Sequence, residues 1–172
     1  MDLRIVQNTQ IILDYAQECQ AAEVALARVL EIKATPLHDQ RWNQSVNFHE
    51  MIAECAESVG AEIAVAQYFG IKGFKPTIGT FKNEADVMAR LEVKWTKYEA
   101  GHLIINATDR PDDVAMLVTG KSPVYQLIGW IPIKMARNEL FRHESQDNYW
   151  VSQGKLYAPE ILRNRVNGHT QG

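Results

Sequence analysis

The fold of this chain is decided by residues 86–96, which read DVMARLEVKWT. Side chains of a β-strand alternate between its two faces, so one apolar set would point into a core: Leu91, Val93 and Trp95. The other face then carries Glu92, Lys94 and Thr96, with Asp86 just upstream. An acid and a lysine side by side on an otherwise apolar strand are costly to bury unless they are paired or bind a metal ion. The pattern therefore indicates a polar site built on a half-buried strand.

The composition is that of an ordinary globular protein. Of the 172 residues, 46% are hydrophobic and 23% are charged, which predicts one domain over residues 1–172 with a sizeable core. Within it we expect an N-terminal helical extension over residues 1–45 and a core over residues 46–165. The formal net charge of -3 argues against a protein that coats nucleic acid through bulk charge. It is compatible with an enzyme that has a local basic groove.

The sequence gives no sign of a membrane segment. No apolar run reaches the roughly 18 residues that a spanning helix needs, and we find no apolar core of a signal peptide at the N-terminus. The two cysteines, Cys19 and Cys55, fall in amphipathic segments and are expected to be reduced thiols. These features predict a cytoplasmic protein.

Helical periodicity dominates the first part of the chain. It predicts a first, long helix from about Thr9, acting as its cap, to about Lys33. It predicts a second helix from Val46 to Phe69, with Gly70 at the C-terminal cap. The order of the chain is thus helices first.

Short β-like runs follow, separated by glycine, proline and aspartate turn signals. They cover residues 89–98, 102–107, 114–119 and 124–131, with a last strand at 149–151. The short connections predict a largely antiparallel meander, and Pro159 is expected to open a C-terminal helix. Helices followed by strands predict the α+β class.

One acid of the second helix differs from the others. The apolar stripe of this helix is made of Ile52, Cys55, Ala56, Val59, Ile63 and Ala66. Glu50, Glu54 and Glu57 fall on the opposite face, whereas Glu62 lies at the edge of the stripe. Glu62 is therefore either a site residue or a boundary glutamate whose carboxylate reaches water.

The order of Asp86, Glu92 and Lys94 resembles the D…E-x-K core of the PD-(D/E)xK nuclease superfamily, the fold of many restriction enzymes and Holliday-junction resolvases. Many members carry a glutamate on the helix before the core strands, and Glu62 in the segment GAEIAVA matches that position. The chain departs from the family pattern at Ala85, which replaces the proline of the family name. The spacing from Asp86 to Glu92 is also short.

A wider resemblance covers residues 50–165, which look like a family of uncharacterised phage proteins. It is carried by the GAEIAVA segment, by EVKWT at residues 92–96 and by QLIGWI at residues 126–131. The resemblance implies a phage origin and hence action in the cytoplasm of a host.

The nuclease resemblance implies a restriction-endonuclease-like fold, with helices flanking a small mixed sheet, and Mg²⁺-dependent hydrolysis of DNA in which Mn²⁺ can substitute. Asp86 and Glu92 would be the main metal ligands, the main-chain carbonyl of Val93 a further ligand, and Glu62 an assisting one. Such oxygen donors are those that Mg²⁺ prefers. Lys94 would orient or deprotonate the attacking water and neutralise the developing charge.

Contacts to DNA are expected beside these residues. Thr96 shares their face of the strand, and Lys82 and Lys97 flank them in sequence. Together with neighbouring aromatic residues, the lysines would form a local nucleic-acid groove. The alternative is that they are ordinary loop lysines.

Two other functions are compatible with the same sequence. The fold could hold DNA or a host protein without cleaving it, or the long first helix could form a homodimer. Catalysis requires Asp86, Glu92 and Lys94 to converge, whereas binding does not. The relative positions of these side chains therefore separate the hypotheses.

Overall fold

The computed structural model describes residues 9–32, 46–79 and 84–168. Along the chain the strands and α-helices are β1 (Thr9–Ile12), α1 (Tyr15–Ile32), α2 (Phe48–Tyr68), β2 (Leu91–Thr96), β3 (Leu103–Asn106), β4 (Val114–Lys121), β5 (Val124–Pro132), α3 (Ile133–Ala136), β6 (Asn148–Val151) and α4 (Pro159–Gly168). Single 3₁₀ turns lie at Glu139–Phe141 and Gln153–Lys155. Within the described ranges, none of the helices combines the length and the apolar character needed to cross a membrane.

Local hydrogen bonds define the ends of the two long helices. Asp14 accepts the main-chain N–H of Gln17 at 2.8 Å, and the side chain of Gln17 accepts the N–H of Asp14 at 2.9 Å, which caps the start of α1. Asn47 and Glu50 form the same reciprocal cap before α2. Gly70 follows α2 with a φ of 71°, in the left-handed region that favours glycine. The second predicted helix and its glycine cap are thus confirmed.

The predicted start of the first helix is wrong. Thr9 is not a helix cap, because Thr9–Ile12 forms β1 and α1 begins only at Tyr15. Residues 9–12 pair antiparallel with β5, and Ile11 packs against the core. The threonine and isoleucines of this segment suit a pleated strand. The predicted end near Lys33 lies outside the described residues.

The main sheet has four strands in the order β1-β5-β4-β2. The pairs β1–β5 and β5–β4 are antiparallel, whereas β4 and β2 are parallel. The predicted meander is wrong at this point, because the chain leaves the sheet after β2 and forms β3, which pairs with β6 in a separate two-stranded sheet. The α+β class and the mixed sheet are confirmed.

Apolar side chains cover both faces of the main sheet. One cluster lies between the sheet and the long helices and includes Val59, Ile63, Leu91, Met116 and Leu127. The other lies between the sheet and the β3–β6 layer and includes Leu103, Ile105, Ala115, Leu117 and Ile131. Strand β2 stands at the end of the main sheet, between these two layers. Polar side chains along this end strand can therefore be reached from outside the core.

Candidate functional site

A groove of about 800 Å³ runs along β2. Glu62 reaches it from α2, Asp86 from the turn before β2, and Glu92 and Lys94 from β2 itself. Thr96 also lines it. The four side chains predicted to be catalytic thus line one groove, although they come from a helix, a turn and a strand.

The ammonium of Lys94 lies between two carboxylates. Its Nζ is 3.5 Å from Oε1 of Glu92, so these two side chains share one face of β2, and 2.9 Å from Oδ1 of Asp109. The second oxygen of Asp109 accepts the N–H of Asn106 at 2.8 Å. The side chains of Lys94 and Glu92 are 20% and 26% exposed, so water and salt screen this arrangement less than they screen a surface pair. Asp109 therefore holds the lysine in place at the groove.

The turn that carries Asp109 is itself fixed. The guanidinium of Arg137 donates to the carbonyls of Asn106, Ala107 and Asp109. Three carbonyls held by one side chain set the path of the chain directly after β3. Asp109, which anchors Lys94, therefore stands on a turn that Arg137 contacts at its main chain.

Asp86 caps the outer edge of β2. Val87 forms an isolated antiparallel bridge with Leu91, which folds the preceding chain back onto the strand. Oδ2 of Asp86 accepts the N–H of Val93 at 2.9 Å. Because the N–H and C=O of one residue point to the same side of an extended strand, the carbonyl of Val93 opens on this edge as well. Asp86 and the Val93 carbonyl therefore face the same space.

Glu62 is buried at 3% exposure and forms a two-pronged ion pair with Arg28 of α1. The distances between guanidinium nitrogens and carboxylate oxygens are 2.8 and 3.0 Å, and Nε of Arg28 donates to the carbonyl of Thr77 at 2.8 Å. Burial works to lower the pKa of Arg28, but the hydrogen bonds and charge of Glu62, with smaller contributions from Cys55 and Asp86, leave that pKa raised. The guanidinium therefore stays charged, and Glu62 does not extend into water as a boundary residue would.

Sequence analysis missed two residues of the groove region, Arg28 and Asp109. Arg28 lies on the same buried stripe of α1 as Ala21 and Ala25, so a charge on an apolar helical stripe was a usable signal. Asp109 stood in a polar turn segment and gave no such signal. Asp109 contacts Lys94 only because the chain leaves the main sheet after β2, forms β3 and then returns to the groove.

The residues predicted to contact DNA do not all meet. Thr96 lines the groove, with its Oγ1 accepting the N–H of Tyr98 at 3.3 Å. Lys97 is exposed and pairs with Glu54 of α2 at 3.1 Å, so its ammonium is directed to the helix. Lys82 lies outside the described residues.

The donor atoms of the groove suit a hard cation. Asp86 and Glu92 offer carboxylate oxygens and Val93 offers a main-chain carbonyl. Among the residues that the structure describes, no three His, Cys, Asp or Glu side chains form a group able to hold a metal ion. A Mg²⁺ ion would therefore depend on two carboxylates, one carbonyl and water, which is a common way for proteins to hold it.

Comparison with models of known protein families, with curated proteins and with solved structures found no significant match. The resemblance to PD-(D/E)xK nucleases thus depends on the residues of this chain alone. The geometry of the groove is then the main indication of what the protein does.

Proposed function

We propose that this chain is a Mg²⁺-dependent deoxyribonuclease that hydrolyses phosphodiester bonds, on a restriction-endonuclease-like fold. One observation carries the proposal: Glu62, Asp86, Glu92 and Lys94 line a single groove. An ordinary solvated strand face would give no reason for a buried helix glutamate to share that groove. We further propose that the protein is encoded by a phage and acts in the cytoplasm of its host.

Asp86, Glu92 and the carbonyl of Val93 would hold the metal ion, and Glu62 would assist through water. When bound, Mg²⁺ supplies a positive charge at a phosphate oxygen and lowers the pKa of a coordinated water. The bidentate pair with Arg28 fixes the direction of the Glu62 carboxylate. Asp86 is fixed in turn by the N–H of Val93.

Lys94 would act on the reacting phosphate. Its ammonium carries a positive charge at the groove wall, where it neutralises the negative charge that develops on the phosphate oxygens. Asp109 acts as a positioning residue, because its contact of 2.9 Å holds Nζ of Lys94 in place. Because the side chain of Lys94 is already held in place, little conformational entropy is lost when it contacts the substrate.

A second candidate function is a module that binds DNA or a host protein without cleaving it. The pairing of charges within the groove favours it, since Glu62 is engaged by Arg28 and Lys94 by Asp109. Mutually neutralised side chains shape a binding surface without any need for a metal ion. The two functions differ in whether DNA is cleaved when Mg²⁺ is added.

The test is cleavage by the purified chain in Mg²⁺ and in Mn²⁺, on linear, circular, single-stranded and branched DNA. We expect Lys94→Met and Asp86→Asn each to lose roughly 100-fold or more in rate, as is typical when one electrostatic or acid–base group is removed. Lys134→Met and Asp112→Asn are matched controls, because these two residues form an exposed ion pair of 2.7 Å elsewhere on the surface. Both controls should cleave like the wild type.

Two results would overturn the assignment. Equal cleavage by Lys94→Met, Asp86→Asn and the wild type would show that the activity arises elsewhere. A wild type that binds DNA but cleaves no substrate in either metal would establish the binding module instead.

A further inference from the structure

We propose that the groove takes a single-stranded segment of DNA, and that Trp150 and His102 form the wall on which an unpaired base stacks. This inference names the substrate class of the proposed nuclease and rests on that proposal for the site of cleavage. The stacking itself involves neither the carboxylates nor a metal ion, so it can be measured separately.

On the β3–β6 layer the ring of Trp150 contacts the rings of two histidines. The centroid of Trp150 lies 4.6 Å from that of His143 and 5.7 Å from that of His102, with the ring planes tilted by 36° and 46°. Nε1 of Trp150 donates to Oδ1 of Asn148 at 2.9 Å, which fixes the indole. Trp150 and His102 line the groove. The wall is therefore set before any ligand arrives, which lowers the entropy lost on binding.

Strand alternation places this wall outside the core. In the β3–β6 ladder Ile104 stands opposite Trp150, and both line the groove. Their neighbours Leu103, Ile105 and Val151 are fully buried in the apolar cluster beneath. Trp150 is therefore not part of that buried cluster. Its ring lines the groove, where a ligand would contact it.

The same groove contains groups suited to a phosphate backbone. Lys94 supplies a cation, and Thr96 and Asn106 supply polar side chains along the same wall. A nucleotide in this space would place its base on the rings and its phosphate at Lys94. One groove thus offers a ring wall for a base and a cation for a phosphate.

An intact DNA duplex offers the rings no free base to stack on. The bases of a duplex are stacked inside it, so Trp150 could reach one only after the base left the stack. The net charge of -3 also gives little bulk attraction to a phosphate backbone. Stacking on the rings therefore has to supply a large part of the affinity.

The test is binding of a fluorescent oligothymidylate, followed by anisotropy in EDTA so that no cleavage occurs. We expect Trp150→Leu to bind roughly 5- to 150-fold more weakly than the wild type, because that is the effect of losing one base–aromatic stack. Trp150→Phe keeps a ring and should stay closer to the wild type. Tyr15→Leu is the control, since Tyr15 is an 82% exposed aromatic residue of α1.

A second ligand separates bases from phosphates. An oligonucleotide of the same length with abasic sites keeps the phosphates and lacks the bases, so it should bind weakly and equally to the wild type and to Trp150→Leu. His102→Ala guards against misfolding of the tryptophan variant, because His102 is exposed and its loss should also weaken binding of the base-bearing strand.

Equal affinity for abasic and base-bearing strands, or a preference for duplex that survives in both Trp150→Leu and His102→Ala, would overturn the stacking wall. If the wild type cleaves DNA but gives either of these two binding results, it is still a nuclease, and only the proposed single-stranded substrate is contradicted. If the wild type cleaves no DNA but shows the predicted loss of binding in Trp150→Leu, the proposed catalysis is contradicted and the stacking wall is supported.

Discussion

At the scale of single residues, Arg28 and Glu62 make the polar contact that ties the helices to the groove. Arg28 is 9% and Glu62 is 3% exposed, and two hydrogen bonds join them. Removing such charges from water is costly, and the mutual attraction offsets that cost only while both partners are present. The pair should therefore be sensitive to the loss of either member.

We predict that Arg28→Met and Glu62→Leu each lower the free energy of unfolding by about 3 kcal/mol or more, because each leaves a buried charge without its main partner. The double variant should recover much of that loss. Lys97→Met is the control, since it breaks an exposed pair with Glu54 and should lower the stability much less. Urea denaturation followed by circular dichroism measures all four. A double variant as unstable as the sum of the single variants would contradict a coupled pair.

Local rules were sufficient to find some of the groove residues and not others. The phase of a helix singled out Glu62, and the two-residue period of a strand put Glu92 and Lys94 on one face. The contacts that hold these residues, Arg28 with Glu62 and Asp109 with Lys94, join segments that no local periodicity connects. They depend on how α1 packs on α2 and on where the chain leaves the main sheet after β2.

At the scale of elements, the end position of β2 determines what the groove can contain. An end strand carries main-chain groups without a strand partner on one side, and proteins normally cover them. Here the bridge of Val87 with Leu91 and the carboxylate of Asp86 on Val93 cover part of that edge. The edge that would otherwise invite another strand is used to place a carboxylate beside a main-chain carbonyl.

The strand positions followed from sequence, while the pairing of the strands did not. Alternation and turn residues located β2 to β6 closely, because they are properties of the segments themselves. Whether β3 pairs with β2 or with β6 depends on long-range packing, and the expected antiparallel order failed there. The pattern of residues 9–12 predicts a helix and not β1, because four residues are too few to separate a strand period from a helical one.

We predict that Gly129→Ala in β5 lowers the free energy of unfolding by about 1–3 kcal/mol. A Cβ at this position would lie 2.7 Å from Cβ of Leu156 and 2.8 Å from the carbonyl oxygen of Tyr157. That backbone cannot move freely, because Tyr157 exchanges two main-chain hydrogen bonds of 2.9 Å with Trp130. Thermal denaturation against Gly154→Ala is the matched comparison, since a Cβ there meets no atom within 4 Å. Equal melting temperatures for the two variants would show that the contact is not tight.

At the scale of the whole molecule, the groove exists because two layers meet at one strand. The helix layer contributes Glu62, β2 and its preceding turn contribute Asp86, Glu92 and Lys94, and the β3–β6 layer contributes Trp150. Loss of docking of either layer would separate the carboxylates from the rings. The folded state as a whole is therefore the unit that any ligand of this groove stabilises.

A ligand that binds only the folded state raises its stability in proportion to the logarithm of ligand concentration, by about 2.7 kcal/mol at one hundred times its dissociation constant. We therefore predict that Mg²⁺ raises the melting temperature of the wild type and that Asp86→Asn abolishes the shift. The asparagine can still accept the N–H of Val93 through its amide oxygen, so the strand edge should survive while a charged ligand is lost.

Asp112→Asn, in an exposed pair with Lys134, should keep the full shift. If Mg²⁺ raises the melting temperature of Asp86→Asn as much as that of the wild type, the ion does not bind through Asp86. If Mg²⁺ does not raise the melting temperature of the wild type, the groove binds no Mg²⁺ in the absence of DNA. Either result would contradict the proposed metal site. Because no substrate is present, the measurement tests the metal site separately from the choice of DNA and from the stacking wall.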